Sequence, residues 1–194
     1  MGDFLAKLPG PLSAPSRRFF SLWQDWRHGR ALPTWRDIDL AALGDQARMC
    51  MLVEIRSRDD VHIVMAGPGI AERIGFDLTG CNYLDLTTPE NRATRAQLTL
   101  EQILQPCGFM LYYWLRYPGD VVLPVEWVGA PVCSDGAAIP DLILSCATPL
   151  ARIAVAGVAD PDSYVMGDGM RFIDIGFGIP AANPNQPLNL QQAH

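Results

Sequence analysis

The sequence predicts one α+β domain: a five-stranded antiparallel sheet with short helices on one face, preceded by an amphipathic helix. Two strand-like runs come first, a block with helical periodicity follows, and three further strand-like runs close the domain. Strands and helices that are grouped in this way, instead of alternating, favour an antiparallel sheet with its helices on one side. The chain has 194 residues, of which 49% are hydrophobic, and this is enough to bury one such core.

Charge and composition argue against several classes of function. Fifteen basic residues stand against twenty-one acidic ones, which gives a net charge of −6, and the charges are scattered along the chain. An acidic chain of this kind is poorly suited to bind nucleic acid. Its apolar runs end well before the roughly twenty residues of a membrane span, and its start lacks the apolar core of a secretory signal. We therefore expect a cytoplasmic protein with neither nucleic acid nor membrane as a partner.

Residue types that support metal binding or catalysis are few and scattered. The five cysteines, at positions 50, 81, 107, 133 and 146, form no C-x-x-C pair, which predicts free and mostly buried thiols in a reducing compartment. The three histidines are dispersed, and no G-x-S-x-G motif is present. Asp37 and Asp39 fit turn and helix capping, and Gly67-Pro68-Gly69 lacks the lysine of a phosphate loop. The sequence predicts no metal site and no catalytic residue.

The N-terminal region is predicted to carry one helix. Residues 1–15 are rich in Pro and Gly and are expected to be irregular, and residues 16–48 hold the helix and a connector. Ser16 is a suitable N-cap and Gly29 a suitable terminator. The apolar stripe of the helix consists of Phe19, Leu22, Trp23 and Trp26. Either the protein's own sheet or a second copy of the chain can bury this stripe, and the second possibility predicts a homodimer through the helix and an exposed sheet face.

The core of the domain is predicted to span residues 49–150. Its strands are expected at 49–56, 61–66, 109–117, 121–133 and 142–147. Pro124 is awkward in a central strand, because it cannot donate to the ladder, and suggests a bulge or an edge position. Residues 151–180 are expected to form a C-terminal extension, and residues 181–194 a disordered tail.

Two helices are predicted between the second and third strands. A short one over residues 70–74 should stop near Gly75. A longer one should begin after Thr88, with Pro89 at its first position, and end at Pro106. Its apolar stripe is expected to consist of Ala93, Ala96, Leu100, Ile103 and Leu104.

Motifs in this core resemble the PAS family. Residues 80–86 (GCNYLDL), followed by residues 88–92 (TPENR), are similar to a family passage of the form G-x-x-x-x-D-L and P-E-D-R. Residues 131–136 resemble the turn between the last two strands of the family. The resemblance covers residues 20–150 and implies a PAS fold with a sensory or interaction function.

The N-terminal half is similar to a bacterial PAS subfamily that often stands alone as a single domain. The shared features are a Trp-bearing helix, residues 32–39 (LPTWRDID), and residues 69–80, which end in G-F-D-L-T-G. Trp35 occupies the position at which the subfamily pattern has Arg, so that Arg36 is shifted by one residue.

Some PAS domains hold haem, flavin or a small metabolite between the sheet and the helices. Covalent flavin chemistry needs a Cys in a G-x-N-C-R-F-L-type helix, whereas Cys81 here precedes Asn82, and residues 109–147 contain no Asn or Gln for a flavin ring. Haem needs an axial ligand, and residues 68–105 contain no His. The sequence therefore leaves the cofactor unknown.

An aromatic cluster on the later strands is the remaining candidate site. Alternation places Tyr113 on one face of the sheet and Tyr112 with Trp114 on the other. The candidate pocket residues are Tyr83, Met110, Tyr112 and Trp127, and alternation leaves open which face of the sheet lines the pocket. We expect a regulatory or sensory PAS-type module that lacks catalysis and acts on an unidentified signalling protein. The alternative is a receptor domain that binds a small ligand, such as haem, flavin or an apolar metabolite.

Overall fold

A computed structural model describes residues 12–151, 156–160 and 170–181 of the chain. Its α-helices are α1 (Ala14–Trp26), α2 (Pro68–Ile74) and α3 (Pro89–Leu104). Short 3₁₀ segments cover Trp35–Asp37, Leu40–Met49 and Tyr83–Leu86. The strands are β1 (Cys50–Ile55), β2 (Val61–Ala66), β3 (Gly108–Tyr117), β4 (Val121–Val132), β5 (Leu142–Pro149) and β6 (Arg171–Ile173).

The described strands form one antiparallel sheet in the order β2-β1-β5-β4-β3-β6. The five predicted strands are present, and β6 is a sixth that the sequence did not indicate. It pairs with the first three residues of β3 and lies within the predicted C-terminal extension. Three residues are too few for a period-2 pattern to be visible in the sequence. Residues 1–11 and 182–194, which hold most of the predicted irregular N-terminus and tail, lie outside the described residues.

Polar turns set the register of the two hairpins. Between β1 and β2, the Ser57 hydroxyl accepts from the backbone N–H groups of Asp59 and Asp60. Between β3 and β4, Gly119 lies at φ 78° in the left-handed region that favours glycine. The bulge suggested for Pro124 is absent, because the β3–β4 register runs through it unshifted. The pairing of β4 with β5 begins at Val125, one residue after Pro124. Pro124 therefore lies at an edge position on the β5 side of the strand, where it does not interrupt the ladder.

The odd-numbered residues of β3 and β4 face α2, α3 and the Tyr83–Leu86 turn. This side holds the larger buried cluster, which includes Tyr113, Trp127 and Leu84. Gly75 ends α2 as predicted, in the left-handed conformation at φ 90°. The face of α3 that packs here differs from the prediction.

The buried residues of α3 are largely polar. They are Arg95, Ala96, Leu98, Thr99 and Gln102. Of the predicted stripe, Ala96 is buried and Ile103 packs against the core, whereas Ala93 is exposed and Leu104 keeps 69% of its surface exposed. The prediction was wrong for Ala93 and Leu104, because the tertiary packing turns the helix so that Arg95, Thr99 and Gln102 are buried instead.

The opposite face of the sheet is covered by α1 and the Leu40–Met49 segment. Helix α1 begins at Ala14 with Ser13 as its N-cap, three residues before the predicted cap at Ser16. Phe19 and Trp23 are fully buried, Trp26 nearly so, and Leu22 is half-buried. The Trp23 indole Nε1 donates to the Pro131 carbonyl oxygen at 3.0 Å.

The protein's own sheet is therefore the partner of the α1 stripe. The expectation that this stripe forms a dimer interface is corrected, since its side chains pack within one chain. The physical reason is that the even-numbered residues of β4 and β5 form an apolar surface, and the apolar stripe of the amphipathic helix covers it.

The capping roles of Asp37 and Asp39 and the free cysteines match the predictions from the sequence. The Asp37 carboxylate accepts from the Thr34 backbone N–H and hydroxyl, both at 2.7 Å, and Asp39 accepts from the Ala41 N–H. All five cysteines are free, and Cys81 is the one that is not fully buried.

None of the helices within the described ranges is long and apolar enough to cross a membrane.

Candidate ligand cavity beneath helix α3

A cavity of about 30 Å³ lies between α3 and the central strands of the sheet. A buried water needs roughly 10–15 Å³, so the cavity has room for a molecule of a few heavy atoms. Its lining residues come from β1, the Tyr83–Leu86 turn, α3, β3, β4, β5 and the residue before β6. They are Met51, Val53, Tyr83, Arg95, Leu98, Thr99, Gln102, Phe109, Leu111, Trp127, Ile143, Ser145 and Met170.

Aromatic rings form one wall of the cavity. Trp127 on β4 is at the centre, and the rings of Tyr83, Phe109 and Tyr113 meet it edge to face at centroid distances of 5.9, 6.0 and 5.9 Å. Edge-to-face pairs of this kind add to the stability that burial provides. These rings lie on three separate elements, the Tyr83–Leu86 turn, β3 and β4, so the shape of the wall depends on the tertiary fold.

Polar groups of α3 form the other wall. The Thr99 hydroxyl donates to the Arg95 carbonyl oxygen at 2.9 Å, and the Gln102 Nε2 donates to the Leu98 carbonyl oxygen at 3.0 Å. Both bonds lie within the helix and fix how these side chains leave it. Three buried atoms of these α3 side chains have no hydrogen-bond partner among the described residues, namely Nε and Nη1 of Arg95 and Oε1 of Gln102.

Arg95 is the least expected residue of the site. It is 3% exposed, and no salt bridge within the described ranges includes it. Its guanidinium carbon lies 5.0 Å from the centroid of the Tyr83 ring. Such a cation–π contact contributes about 0.5–2 kcal/mol, whereas a buried charge without a partner costs several. The contact with the Tyr83 ring therefore offsets only part of the free-energy cost of burying the Arg95 charge.

Two of the four predicted pocket residues line this cavity and two do not. Tyr83 and Trp127 are part of the lining. Met110 and Tyr112 lie on the opposite face of the sheet, in the cluster that packs with α1. Successive residues of a strand point to opposite faces, so Met110 and Tyr112 cannot share a face with Trp127, whose partner on β3 is Leu111.

Arg95 and Gln102 are functional candidates that the sequence reasoning missed. Their spacing with Leu98 and Thr99 is i, i+3, i+4 and i+7, which is one helix face. That pattern was visible in the sequence, but a search for apolar stripes passes over a face with three polar members.

The other face of the sheet carries a buried carboxylate with a structural role. Glu126 is 1% exposed and accepts from the Ser13 hydroxyl at 2.6 Å, the Ser13 backbone N–H at 3.1 Å and the Tyr112 hydroxyl at 2.9 Å. It thus binds the N-terminal end of α1, where a negative charge is favourable. Burial, together with the bond to Glu126, raises the pKa of Tyr112 above its usual value.

Comparison with family models gives one match. The model described as "PAS domain" matches residues 12–115, which is more than half of the chain. The chain belongs to the PAS domain family. PAS domains are typically sensory, so a sensory module is the class of function that this membership indicates.

Two solved structures are similar to this chain over somewhat more than half of its length. A LOV protein from Rhodobacter sphaeroides is 20% identical with a TM-score of 0.39, and a variant of RsLOV is 19% identical with the same TM-score. The alignments cover 56% and 55% of this chain and 66% of each of the other chains, which is just under two thirds of their length. A likeness of this extent does not identify a ligand for this PAS domain. No curated protein matches the chain.

The cavity of this PAS domain does not fit a flavin or a haem. Sites for ligands of that size are typically about 300–1,000 Å³, an order of magnitude above the 30 Å³ found here. No histidine or cysteine is among the residues that line the described cavity, and Cys81 lies outside the lining. Within the described ranges, no three His, Cys, Asp or Glu side chains are placed to hold a metal ion.

Proposed function

We propose that this PAS domain is a sensory module that binds a small ligand in the cavity beneath α3 and regulates a partner protein by contact, without catalysis of its own. The observation that carries the proposal is a cavity between α3 and the sheet that is lined mostly by apolar and aromatic side chains, together with the buried polar residues Arg95, Thr99 and Gln102. Lining of this kind, apolar with a few polar groups, is typical of the sites at which proteins bind small molecules.

The position of the cavity connects binding to conformation. Most of its polar lining residues belong to α3, and its aromatic wall belongs mainly to the central strands. A ligand that bonds to Arg95 and also contacts the sheet changes the free energy of packing α3 on the sheet. This difference in affinity between two positions of α3 is what a ligand-driven change requires.

Native mass spectrometry of the purified protein tests the sensing site. We expect a bound small molecule that is lost in Thr99→Met, because the larger side chain fills the cavity. Thr94→Met is the matched control, since Thr94 is on the same helix, is half-buried and does not line the cavity. Retention of the same ligand by Thr99→Met, with both variants folded, would show that the ligand binds elsewhere.

An exposed apolar patch supports the proposal that the domain regulates another protein by direct contact. Trp114, Val122 and Leu150 keep 59%, 42% and 44% of their surfaces exposed. They are adjacent, because Trp114 pairs with Pro124, Val122 is two residues away on the same strand, and the Leu150 N–H donates to the Pro124 carbonyl oxygen at 2.9 Å. Exposed apolar groups that cluster in this way often mark an interaction surface.

We propose that this Trp114 patch contacts a second copy of the chain or a signalling protein, in a cytoplasmic, reducing location that suits five free thiols. Light scattering on wild type, Trp114→Ser and the control Leu104→Ser tests the homodimer, since Leu104 is also exposed but lies on α3, which packs on the opposite face of the sheet. We expect a dimer that only Trp114→Ser weakens. A dimer of unchanged mass in Trp114→Ser would remove the patch from the interface.

A further inference from the structure

Cys50 and Cys146 face each other across the β1–β5 ladder. The register makes them direct partners on neighbouring antiparallel strands. The Cys50 carbonyl accepts from the Gly67 backbone N–H, on the β2 side, whereas the Ile55 N–H of the same strand donates to the Asp141 carbonyl, on the β5 side. Backbone groups alternate in direction along a strand, so Cys50 and Cys146 form a non-hydrogen-bonded pair, the kind in which opposite side chains come closest.

The two sulfur atoms lie beside the same backbone oxygen. The Sγ atoms of Cys146 and Cys50 lie 3.4 and 3.6 Å from the Gln46 carbonyl oxygen. A hydrogen bond with the Cys50 thiol, together with burial, raises the pKa of Cys146 above its usual value, so Cys146 is a neutral thiol while the site is closed. A disulfide needs Cα atoms roughly 4.4–6.8 Å apart, and a non-hydrogen-bonded pair places them about 4.5 Å apart.

We propose that Cys50 and Cys146 form an oxidative modification site, at which hydrogen peroxide converts the two thiols to an intramolecular disulfide. One thiol, as its thiolate, attacks a peroxide oxygen and the O–O bond breaks, which leaves a sulfenic acid and, with the thiol proton, one water. The second thiol attacks the sulfenic sulfur, so that an S–S bond replaces the S–O bond and a second water leaves. The peroxide gains the two electrons that the thiols lose.

The Leu40–Met49 segment controls access to this pair. Both cysteines are 0% exposed, and buried Leu43 and Gln46 belong to the segment that covers them. Hydrogen peroxide therefore reaches the sulfurs only when this segment opens. The disulfide removes two S–H donors from the Gln46 carbonyl, and the Gln46 Nε2 is already buried without a partner among the described residues. Oxidation should therefore weaken the packing of the segment that precedes β1.

The cysteine pair is separate from the cavity of the proposed function. It lies on the face of the sheet that α1 covers, whereas the cavity lies beneath α3 on the other face. Oxidation at the pair is thus a second input that does not depend on ligand binding, and a negative result at one site leaves the other unaffected.

Mass mapping of the oxidised protein tests the site. The reduced, folded protein is treated with hydrogen peroxide, the remaining thiols are alkylated in denaturant, and the peptides are mapped without reduction. We expect a disulfide between Cys50 and Cys146 that dithiothreitol reverses. The link should be lost in Cys50→Ala and in Cys146→Ala. It should be kept in the matched control Cys107→Ala, because Cys107 is equally buried but lies outside the β1–β5 ladder.

A leucine variant tests the opening step. Leu43→Ala removes a buried side chain of the covering segment and should speed formation of the link at least about tenfold. Leu98→Ala is the matched control, because it truncates a buried leucine of α3 on the other face of the sheet and should change the rate much less. In the linked protein, the amides of residues 40–49 should exchange hydrogen about threefold faster than in the reduced protein.

Mapping of the wild type decides the site even if an alanine variant does not fold. The assignment fails if Cys50 and Cys146 both remain free to alkylate after half-buried Cys81 is fully oxidised. It also fails if either residue of the pair becomes a sulfinic acid or links to a different cysteine instead. Equal rates in Leu43→Ala and Leu98→Ala would overturn access through the covering segment, and unchanged exchange in the linked protein would overturn the effect on its packing.

Discussion

Truncation of Trp23 tests the placement of α1 on the sheet. Its side chain is fully buried and its indole N–H donates to Pro131, on the strand beneath. Replacing a buried Trp by Ala costs about 3–5 kcal/mol, because apolar contacts are lost and a cavity is left. Trp23→Phe keeps most of the contact area but leaves the Pro131 carbonyl without its side-chain donor, at a cost of about 1–2 kcal/mol.

Phe76→Ala is the control, since it removes an aromatic side chain from a position that is 56% exposed and lies outside the proposed interaction patch. Exposed substitutions usually change the free energy of unfolding by less than about 0.5 kcal/mol. Urea unfolding followed by circular dichroism measures the difference. With an m-value of about 1–3 kcal/mol per molar urea, Trp23→Ala should lower the midpoint by roughly 1–5 M, and Phe76→Ala should leave it nearly unchanged.

Equal midpoints for the two alanine variants would refute the packing of α1 on the sheet. A Trp23→Ala protein of wild-type stability that changes from dimer to monomer would refute it in a second way, and would restore the dimer role that the sequence suggested for this helix. The unfolding midpoint and the oligomeric state can both be measured on the same samples, the first by urea unfolding and the second by light scattering.

Three further predictions concern ionisable groups. The raised pKa of Tyr112 means that its contribution to stability is complete below pH ~10 and is lost as the pH rises further, so Tyr112→Phe should flatten the alkaline limb of the unfolding profile. Bonds from Arg30 and Thr34 lower the pKa of Asp37, so stability from this group is present above pH ~4 and is lost as the pH falls; Asp37→Asn should show a weaker acid dependence. Burial raises the pKa of Cys107 to about 12, so a thiol reagent should label half-buried Cys81 at least tenfold faster, and mass mapping that finds Cys107 labelled first would contradict its placement.

Local patterns predicted the secondary structure well. The strand bounds follow from runs of β-branched and aromatic residues between turn residues, and the end of α2 follows from Gly75. The role of Asp37 in a turn also follows from local sequence, because the partner of its carboxylate is three residues away. These features depend on neighbours in the chain and need no knowledge of the fold.

The candidate site could be predicted only in part. Tyr83 and Trp127 were proposed as pocket residues from the sequence, and the structure places both in the lining of the cavity beneath α3. Arg95 was not, because a buried arginine is rare and its burial depends on the rotation of α3 about its own axis. Met110 and Tyr112 were candidates as well, because alternation relates the residues of one strand but does not say which set faces the helices. The structure places both on the face that α1 covers.

The sequence by itself determined the kind of domain, the order of its elements and the helical stripe of α1, since each is written in spacings of a few residues. Only the tertiary structure decided which surface covers that stripe, which face of α3 meets the sheet and which atoms line the cavity. The physical reason is that these choices depend on the sum of many distant contacts. The resulting burial of Arg95 opposite Trp127 brings together residues 32 positions apart, and no local pattern contains that proximity.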